Sequence, residues 1–594
     1  MSIPAGGPDH SGLHQGPDAD PGRAADLIGT PADFTAVGRG IRVDVAGVSQ
    51  RAGGQQTLRA ISLTVRAGEL VAIAGSSGAG KTMLVETLAG LRRPAEGTVG
   101  YDGIDCHENL ATVRTLLGYV PQDDIIHREL TVRRTLRYAA RLRLPAGTRP
   151  ASVDAAVNRV IKVLGLADRA EVAVGSLSGG ERKRVSIGVE LLVAPRLFFL
   201  DEPTSGLDPA TGAGIMRLLR RLADDGTTVV LTTHAAADLD LCDTVVFLAK
   251  SGSLAFAGPP QQARQHFGTE RFEDVYHLID ADAGQDRVAS SEATTVRGAA
   301  ERPDFADAPD DRPELAAAVR RGGVRQLGLL SQRSLDILLH SKLTLAILVG
   351  SPAMVLAMFV VLFPPGGFSF ARPSPNGTLM TIFWIAFAGF FFGLSYGLPQ
   401  ICGEIAVVRR EHHVGVALGW YLLSKLVVLL PLLALVDAVT LWLLRVLNRL
   451  PATSGTQTSS LFVTLVLASA AALALGLLTS AAVGGPSQAI VAMPMLCFPQ
   501  VLFSGAFLPV PAMATAGRVI SYPMSNRWAF EALGHAAGLP RLWALGGSRL
   551  GPPLLATYGR TFSHAAWTDW IILGGFTFVL LAATRAILAR RAAA

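Results

Sequence analysis

The segment that most constrains this chain runs from Leu70 to Leu91. Leu70-Val71-Ala72-Ile73-Ala74 is a short, fully apolar run and reads as a buried strand. It passes directly into Gly75-Ser76-Ser77-Gly78-Ala79-Gly80-Lys81-Thr82, and the run from Met83 to Leu91 then reads as a helix. Strand, G-x-x-x-x-G-K-T and helix stand in the order a phosphate-binding loop requires. The glycines let backbone N–H groups curl around a β-phosphate. Lys81 brings a mobile positive charge to the β- and γ-phosphates, and Thr82 offers its hydroxyl to Mg²⁺.

Two further stretches supply what phosphate chemistry needs. Leu197-Phe198-Phe199-Leu200 reads as a buried strand that ends in Asp201-Glu202. Asp201 is placed to organise Mg²⁺ through water, and Glu202 to polarise a hydrolytic water. In Leu177-Ser178-Gly179-Gly180-Glu181-Arg182 a loop of small residues opens a helix. The Ser178 hydroxyl and the N–H groups of Gly179 and Gly180 lie at the helix N-terminus, where they hold a phosphate. A plain turn before a charged helix is the lesser, alternative reading of that run taken alone. Upstream, Ile41, Val43 and Val45 alternate with Arg42 and Asp44 as an edge strand does, and Ser62 to Val65 reads as a second strand. Periodicity makes Ile125 to about Val174 mostly helical.

Length and composition divide the chain. At 594 residues it is too long for one ordinary domain, and it is 50% hydrophobic but only 17% charged. Charges dominate up to about Arg333, and long apolar runs dominate after it. A net charge of +6 fits Arg-rich cytoplasmic faces of a membrane protein better than nucleic acid. Cys106, Cys242, Cys402 and Cys497 form no C-x-x-C, so neither a metal site nor a disulfide frame is indicated. No charged-then-apolar leader opens the chain, which is expected to start in the cytoplasm. Residues 1–37 read as a disordered tail, 38–280 as the nucleotide-binding domain and 281–312 as a flexible linker carrying Thr294 and Thr295. Residues 313–342 read as an amphipathic connecting helix with Arg320, Arg321, Arg325 and Arg333, suited to the cytoplasmic membrane surface. Residues 343–594 hold six expected spans: Leu343–Phe363, Thr378–Leu398, Tyr421–Leu444, Leu461–Val483, Ala489–Val510 and Trp570–Leu588. Part of Pro511 to Ala532 reads as a re-entrant helix. Asp437 is an acid inside the third span, and an intramembrane acid is a functional-site candidate by default. Phe390, Phe391 and Phe392 on the second span either line a cavity or pack among helices.

The Leu177–Arg182 run resembles the signature loop of ABC-type ATPases. The order of ATPase then six spans, with Gly118–Leu136 and Val174–Leu192 as they stand, resembles the G-subfamily (White-type) half-transporters, the bacterial branch above all. The resemblance covers residues from about 40 to the end. It implies an α/β P-loop ABC ATPase domain plus an all-α six-span ABC-2-type transmembrane domain. It makes Gln122 the Q-loop amide on Mg²⁺ and the attacking water, Asp208 of Ser205-Gly206-Leu207-Asp208 the D-loop acid, and His234 the switch histidine at the γ-phosphate. It implies that Ser178 to Gly180 complete the ATP site of a partner subunit. It also makes Glu404–Glu411, with Arg409 and Arg410, the loop that passes ATPase motion to the spans, and Phe507 an apolar valve. One family feature is missing. No aromatic stands in Gly47-Val48-Ser49-Gln50-Arg51 to stack on adenine, so Gln50 or Arg51 takes that place.

The resulting expectation is an ATP- and Mg²⁺-dependent exporter of the bacterial inner membrane, multi-pass, with both termini and the ATPase domain cytoplasmic. It works as a dimer with a second copy or a related half-transporter, and it moves a lipidic or amphipathic substrate. Glu202, His234 and Gln122 are its catalytic candidates. Small-molecule efflux and a membrane-bound regulatory ATPase without cargo stay open as alternatives. A soluble ATPase acting on ribosomes or DNA is argued against by the six spans.

Overall fold

The computed structural model describes residues 40–109, 116–145, 147–282, 323–451 and 454–593. The expected tail over 1–37, the linker with Thr294 and Thr295, and the start of the connecting helix with Arg320 and Arg321 lie outside these residues, apart from 281 and 282. The chain forms two units. The first comprises Met1–Gln122, Leu144–Ala167 and Lys183–Ala318, and the second Asp123–Arg143, Asp168–Arg182 and Val319–Ala594.

Among the described residues, ten strands lie in the first unit: β1 (Val43–Ala52), β2 (Gln55–Val65), β3 (Leu70–Gly75), β4 (Glu96–Tyr101), β5 (Ile104–Asp105), β6 (Leu117–Val120), β7 (Leu197–Leu200), β8 (Thr228–Thr232), β9 (Thr244–Leu248) and β10 (Leu254–Gly258). The helices of the N-terminal half are α1 (Lys81–Leu88), α2 (Val132–Arg143), α3 (Pro150–Val163), α4 (Gly179–Leu191), α5 (Pro209–Asp224), α6 (Ala236–Leu239), α7 (Pro260–Phe267) and α8 (Phe272–Asp282). Of these, α2 and the first turn of α4, residues 179–182, belong to the second unit.

One sheet has the order β2-β1-β4-β5 and the other β10-β9-β3-β8-β7-β6. In the second sheet β9, β3, β8, β7 and β6 are parallel, and only β10 at the edge is antiparallel. β3, β7 and β8 are buried at every position, as strands covered on both faces must be. Ile41 to Val45 do not form an edge strand, because β1 pairs with β2 on one side and β4 on the other. The alternation arises because Val43 and Val45 face the apolar core shared with Ile73, Leu84 and Phe199, while Arg42 is exposed. The second strand also starts earlier than Ser62, at Gln55.

The second unit carries α9 (Gly323–His340), α10 (Lys342–Leu362), α11 (Pro375–Gly397), α12 (Pro399–Cys402), α13 (Ile405–His413), α14 (Leu418–Val446), α15 (Gly455–Ala482), α16 (Pro486–Leu502), α17 (Thr515–Ser521), α18 (Ser525–Ala536), α19 (Leu539–Leu545), α20 (Gly551–Tyr558) and α21 (Ala566–Ala593). Among the described residues, five stretches are long and apolar enough to cross a membrane: Thr344–Leu362, Pro375–Cys402, Leu418–Val446, Gly455–Ala482 and Ala566–Ala592. The expected span Ala489–Val510 differs. It is α16, 17 residues with Pro494 and Pro499 inside, about 26 Å long against a bilayer core of about 30 Å. The helix ends at Leu502, and Gly505 then turns the chain at φ 89°. Within Pro511–Ala532 lie α17 and most of α18.

Small residues set the packing of α11 on α15. Gly389, Gly393 and Gly397 recur every fourth residue on α11, facing Ser469, Ala472 and Gly476. A Cβ on Gly393 would stand 2.2 Å from the Ser469 carbonyl, and one on Gly397 2.7 Å from the Leu473 carbonyl. The backbones therefore approach as closely as glycine permits, the usual way helices associate where apolar burial supplies no driving force.

Candidate functional site

The C-terminal ends of four neighbouring parallel strands build the site in the first unit, where open α/β sheets bind their ligands. β3 delivers the phosphate loop, β6 delivers Gln122, β7 delivers Asp201 and Glu202, and β8 delivers Thr232 and leads to His234. Gly78 and Gly80 take φ of 84° and 92°, which only glycine adopts without strain. Gly75, Ser76, Ser77, Gly78, Ala79 and Gly80 wrap Lys81, whose Nζ donates to the carbonyls of Gly75 (2.8 Å) and Ser76 (3.2 Å). Burial pulls the Lys81 ammonium below its usual value, and the nearby Glu202 and Asp201 pull it back.

Thr82 Oγ1 donates to Asp201 Oδ1 at 3.2 Å. A hydroxyl and a buried carboxylate meeting in this way are the hard oxygen donors Mg²⁺ takes, so the residues fit the ion. Asp201 Oδ1 also accepts from Thr232 Oγ1 at 2.6 Å, and Thr232 Oγ1 accepts the Glu202 N–H at 2.8 Å. Glu202 sits at φ 43°, a left-handed conformation that is strained for a residue with a side chain. Its Oε2 accepts from Gln122 Nε2 at 3.1 Å and lies 3.5 Å from His234 Nδ1. Lys81, Thr82, Gln122, Asp201, Glu202 and His234 are thus brought together. Asp208 stands apart as the N-cap of α5, where its side chain accepts the Thr211 N–H at 3.0 Å ahead of Pro209.

The signature run opens α4. Ser178 and Glu181 form a reciprocal cap: the Ser178 N–H donates to Glu181 Oε2 (2.9 Å), and the Glu181 N–H to Ser178 Oγ (3.3 Å). Gly179 and Gly180 form the first turn beside it.

Gln50 does not offer a face to a base. It is buried and its Nε2 donates to the Arg93 carbonyl at 2.7 Å, whereas Arg51 is exposed. Reading the sequence missed Thr232 and Lys183. Lys183 Nζ donates to the Gln122 carbonyl at 2.6 Å and so fixes that loop. The doubled Thr before His234 was the available signal for Thr232. Lys183 had none, because only the fold brings it to the end of β6.

In the second unit, Arg333 is not on a membrane-facing surface. It is buried and makes a two-pronged ion pair with Glu411, the Nη2–Oε2 contact measuring 2.9 Å. Glu404 accepts from Lys425 Nζ (2.8 Å) and from the Tyr421 hydroxyl (2.9 Å). Arg409 donates to the Arg591 carbonyl at the end of α21, and Arg410 lies on the last turn of α13. Buried His127 lies near both pairs, and its Nε2 has no partner among the described residues. Burial lowers the His127 imidazole to about 4, with Arg333 adding to the effect. Burial alone would raise Glu404; Lys425 first, then His127 and Arg333, hold it at about 2.

Both groups bind fewer protons folded than unfolded, so stability is full at neutral pH. It falls from 6.5 toward about 4 as His127 must be charged, and from 4.5 toward about 2 as Glu404 must be neutralised. The thermal midpoint of the full chain in detergent is expected to drop between pH 6.5 and 4.5, and His127→Gln to flatten that part of the curve. An unchanged slope would remove His127 as its source.

Among the membrane candidates, Asp437 is fully buried between α14 and α15. Its Oδ2 accepts from Ser469 Oγ at 2.9 Å, and its Oδ1 has no partner among the described residues. Phe390 and Phe392 are packed away and Phe391 is half-buried. Phe507 is 55% exposed and stands edge-on to Phe383, ring centroids 5.1 Å apart.

Fold and site together define a phosphate-loop nucleotide-binding domain fused to a helical domain with several membrane-length helices. Residues 58–205 match the model of the ABC transporter family, and 325–536 that of the ABC-2 type transporter. The chain is 34% identical over 512 residues to the ABC transporter ATP-binding/permease protein Rv1747 of Mycobacterium tuberculosis, covering 84% of this chain and 58% of that protein. It is 42% identical over 221 residues to ABC transporter G family member 21 of Arabidopsis thaliana, covering 36% and 32%. It is 40% identical over 207 residues to the broad substrate specificity ATP-binding cassette transporter ABCG2 of Mus musculus, covering 34% and 31%. The chain thus spans 58% of the mycobacterial relative's length and about a third of the other two. It belongs to the ABC transporter family, with the ATPase domain N-terminal to the membrane domain as in G-type half-transporters.

Proposed function

We propose that this protein is an ATP-hydrolysing exporter of the bacterial inner membrane that works as a dimer and moves a lipidic or amphipathic substrate. The observation that carries the reading is the meeting of Lys81, Thr82, Gln122, Asp201, Glu202 and His234 at the ends of β3, β6, β7 and β8. Lys81 and the loop N–H groups bind the triphosphate. Thr82 and Gln122, with Asp201 through water, would hold Mg²⁺, which would neutralise phosphate charge when bound. Gln122 orients a water against Glu202, which takes its proton as the oxygen attacks the γ-phosphorus; the bond from the γ-phosphorus to the β–γ bridging oxygen breaks, and ADP leaves with that oxygen. His234 contacts the γ-phosphate. Ser178 and Gly180 of a second copy, or of a related half-transporter, close the site. With α16 counted as a shorter sixth span beside the five long ones, both ends of the membrane domain lie on one face, and the N-terminal ATPase domain makes that face the cytoplasmic one in this reading. The Glu404–Glu411 segment passes ATPase motion to the spans. The lipidic or amphipathic class of cargo is read from the apolar character of the long helices.

Inside-out proteoliposomes of the full chain test this. ATP, and not a non-hydrolysable analogue, is expected to drive accumulation of lipid or amphipathic fluorophores from a mixed panel. ATP turnover with no flux of any panel member would favour a regulatory ATPase without cargo.

A further inference from the structure

One buried acid near the site has no part in the chemistry described above. Asp238 lies on α6, four residues after His234, and is 6% exposed. It makes no ion pair among the described residues. Its Oδ2 instead accepts two hydroxyl hydrogens, from Thr204 Oγ1 and from Thr233 Oγ1, each at 2.7 Å. A carboxylate oxygen receiving two short hydrogen bonds in a buried setting is a strong, directional tie.

Its two donors come from the two segments that must be held in register. Thr204 lies two residues after Glu202, in the turn where the Ser205 N–H bonds the Glu202 carbonyl at 3.2 Å. Thr233 immediately precedes His234, and its Oγ1 also accepts the Ala235 N–H at 3.0 Å. His234 is therefore flanked on both sides by groups tied to Asp238. Glu202, strained at φ 43°, is held on its own N–H by Thr232 and downstream through Thr204. Without Asp238, nothing described in this region bridges the turn after β7 to the loop after β8 beyond the Thr232 contacts and the 3.5 Å approach of His234 to Glu202.

We propose that Asp238 is a positioning residue for ATP hydrolysis: through Thr204 and Thr233 it fixes Glu202 against His234. The inference rests on the hydrolytic reading given above. A loosening of about 1 Å between groups that must converge on one water and one phosphate lowers rates by up to about 10²-fold.

The test uses the full chain, purified in lipid nanodiscs, with ATP turnover, fluorescent-nucleotide binding and backbone hydrogen exchange read on each variant. Asp238→Ala is expected to lower kcat about 10- to 100-fold, with KM for ATP and nucleotide affinity within about threefold. Asp238→Asn keeps an oxygen in place for both hydroxyls and is expected to retain kcat within about threefold. Thr204→Val/Thr233→Val is expected to match Asp238→Ala, and the triple variant to be no worse, as for members of one network. Amide exchange over 204–207 and 233–236 is expected to rise in Asp238→Ala and not in Asp238→Asn. The near-isosteric Asn and Val variants carry the test if Asp238→Ala does not fold.

The proposal is overturned if Asp238→Ala keeps kcat within twofold, if Asn is as damaging as Ala, or if only KM changes. Unchanged exchange over both segments overturns it as well. A wild-type protein that binds ATP without hydrolysing it, yet shows the exchange difference, would overturn the hydrolytic reading and leave Asp238 as a structural tie, so the two failures are distinct.

Discussion

Glu202→Gln is expected to reduce ATP turnover by about 10²- to 10⁴-fold while nucleotide binding persists. The carboxylate is the acceptor of this site: its Oε2 faces Gln122 Nε2 at 3.1 Å and His234 Nδ1 at 3.5 Å. An amide keeps the shape but has no basic oxygen to take a proton from water. The strained backbone at φ 43° is set by the fold and stays in the variant. Lys81 and the phosphate loop, the proposed binding elements, are untouched. Single-turnover hydrolysis and equilibrium nucleotide binding on the purified chain check this together. Turnover within tenfold of wild type would remove Glu202 as the base, and loss of binding would show that it holds nucleotide instead.

Arg333→Met is expected to be the most destabilising single change in the second unit. It leaves Glu411 buried without its cation, and breaking such a pair typically costs about 3–5 kcal/mol. Burial alone would raise the Glu411 carboxyl, and Arg333 holds it below its usual range. Arg333→Met/Glu411→Leu removes both charges and is expected to recover most of the loss, since an apolar pair of similar size meets no desolvation penalty. Thermal unfolding of each variant in detergent decides it. A double variant no more stable than the single would mean that the pair itself, rather than the orphaned carboxylate, sets the stability.

Gln50 and Arg333 show where reading residues in order fails. Gln50 stands where a base-stacking residue is expected, but its amide is spent on Arg93 and Thr87. Arg333 looks like one of several surface arginines on an amphipathic helix, but Glu411, 78 positions away, draws it into the interior. Neither partner is visible locally, because a hydrogen bond or ion pair formed across the fold leaves no periodic trace in the chain. α16 fails for a different reason. The apolar run Ala489–Val510 is continuous in the sequence, but the helix ends at Leu502 and the chain turns at Gly505.

What the sequence determined by itself is whatever depends on spacing along the chain. The phosphate loop needs its glycines, Lys81 and Thr82 at fixed offsets between strand and helix. A span needs about 20 apolar residues in a row. Asp201 and Glu202 must follow an apolar strand. What the tertiary structure decided is which strand ends become neighbours. The order β3-β8-β7-β6 sets Gln122, Asp201, Glu202 and His234 side by side, although 112 positions separate the first from the last. It also turned Thr232, Lys183 and Asp238 from ordinary polar residues into the groups that hold that site. Parallel strands bring their C-terminal ends to one edge of the sheet, and only there do hydroxyls and carboxylates distant in sequence come within hydrogen-bond reach.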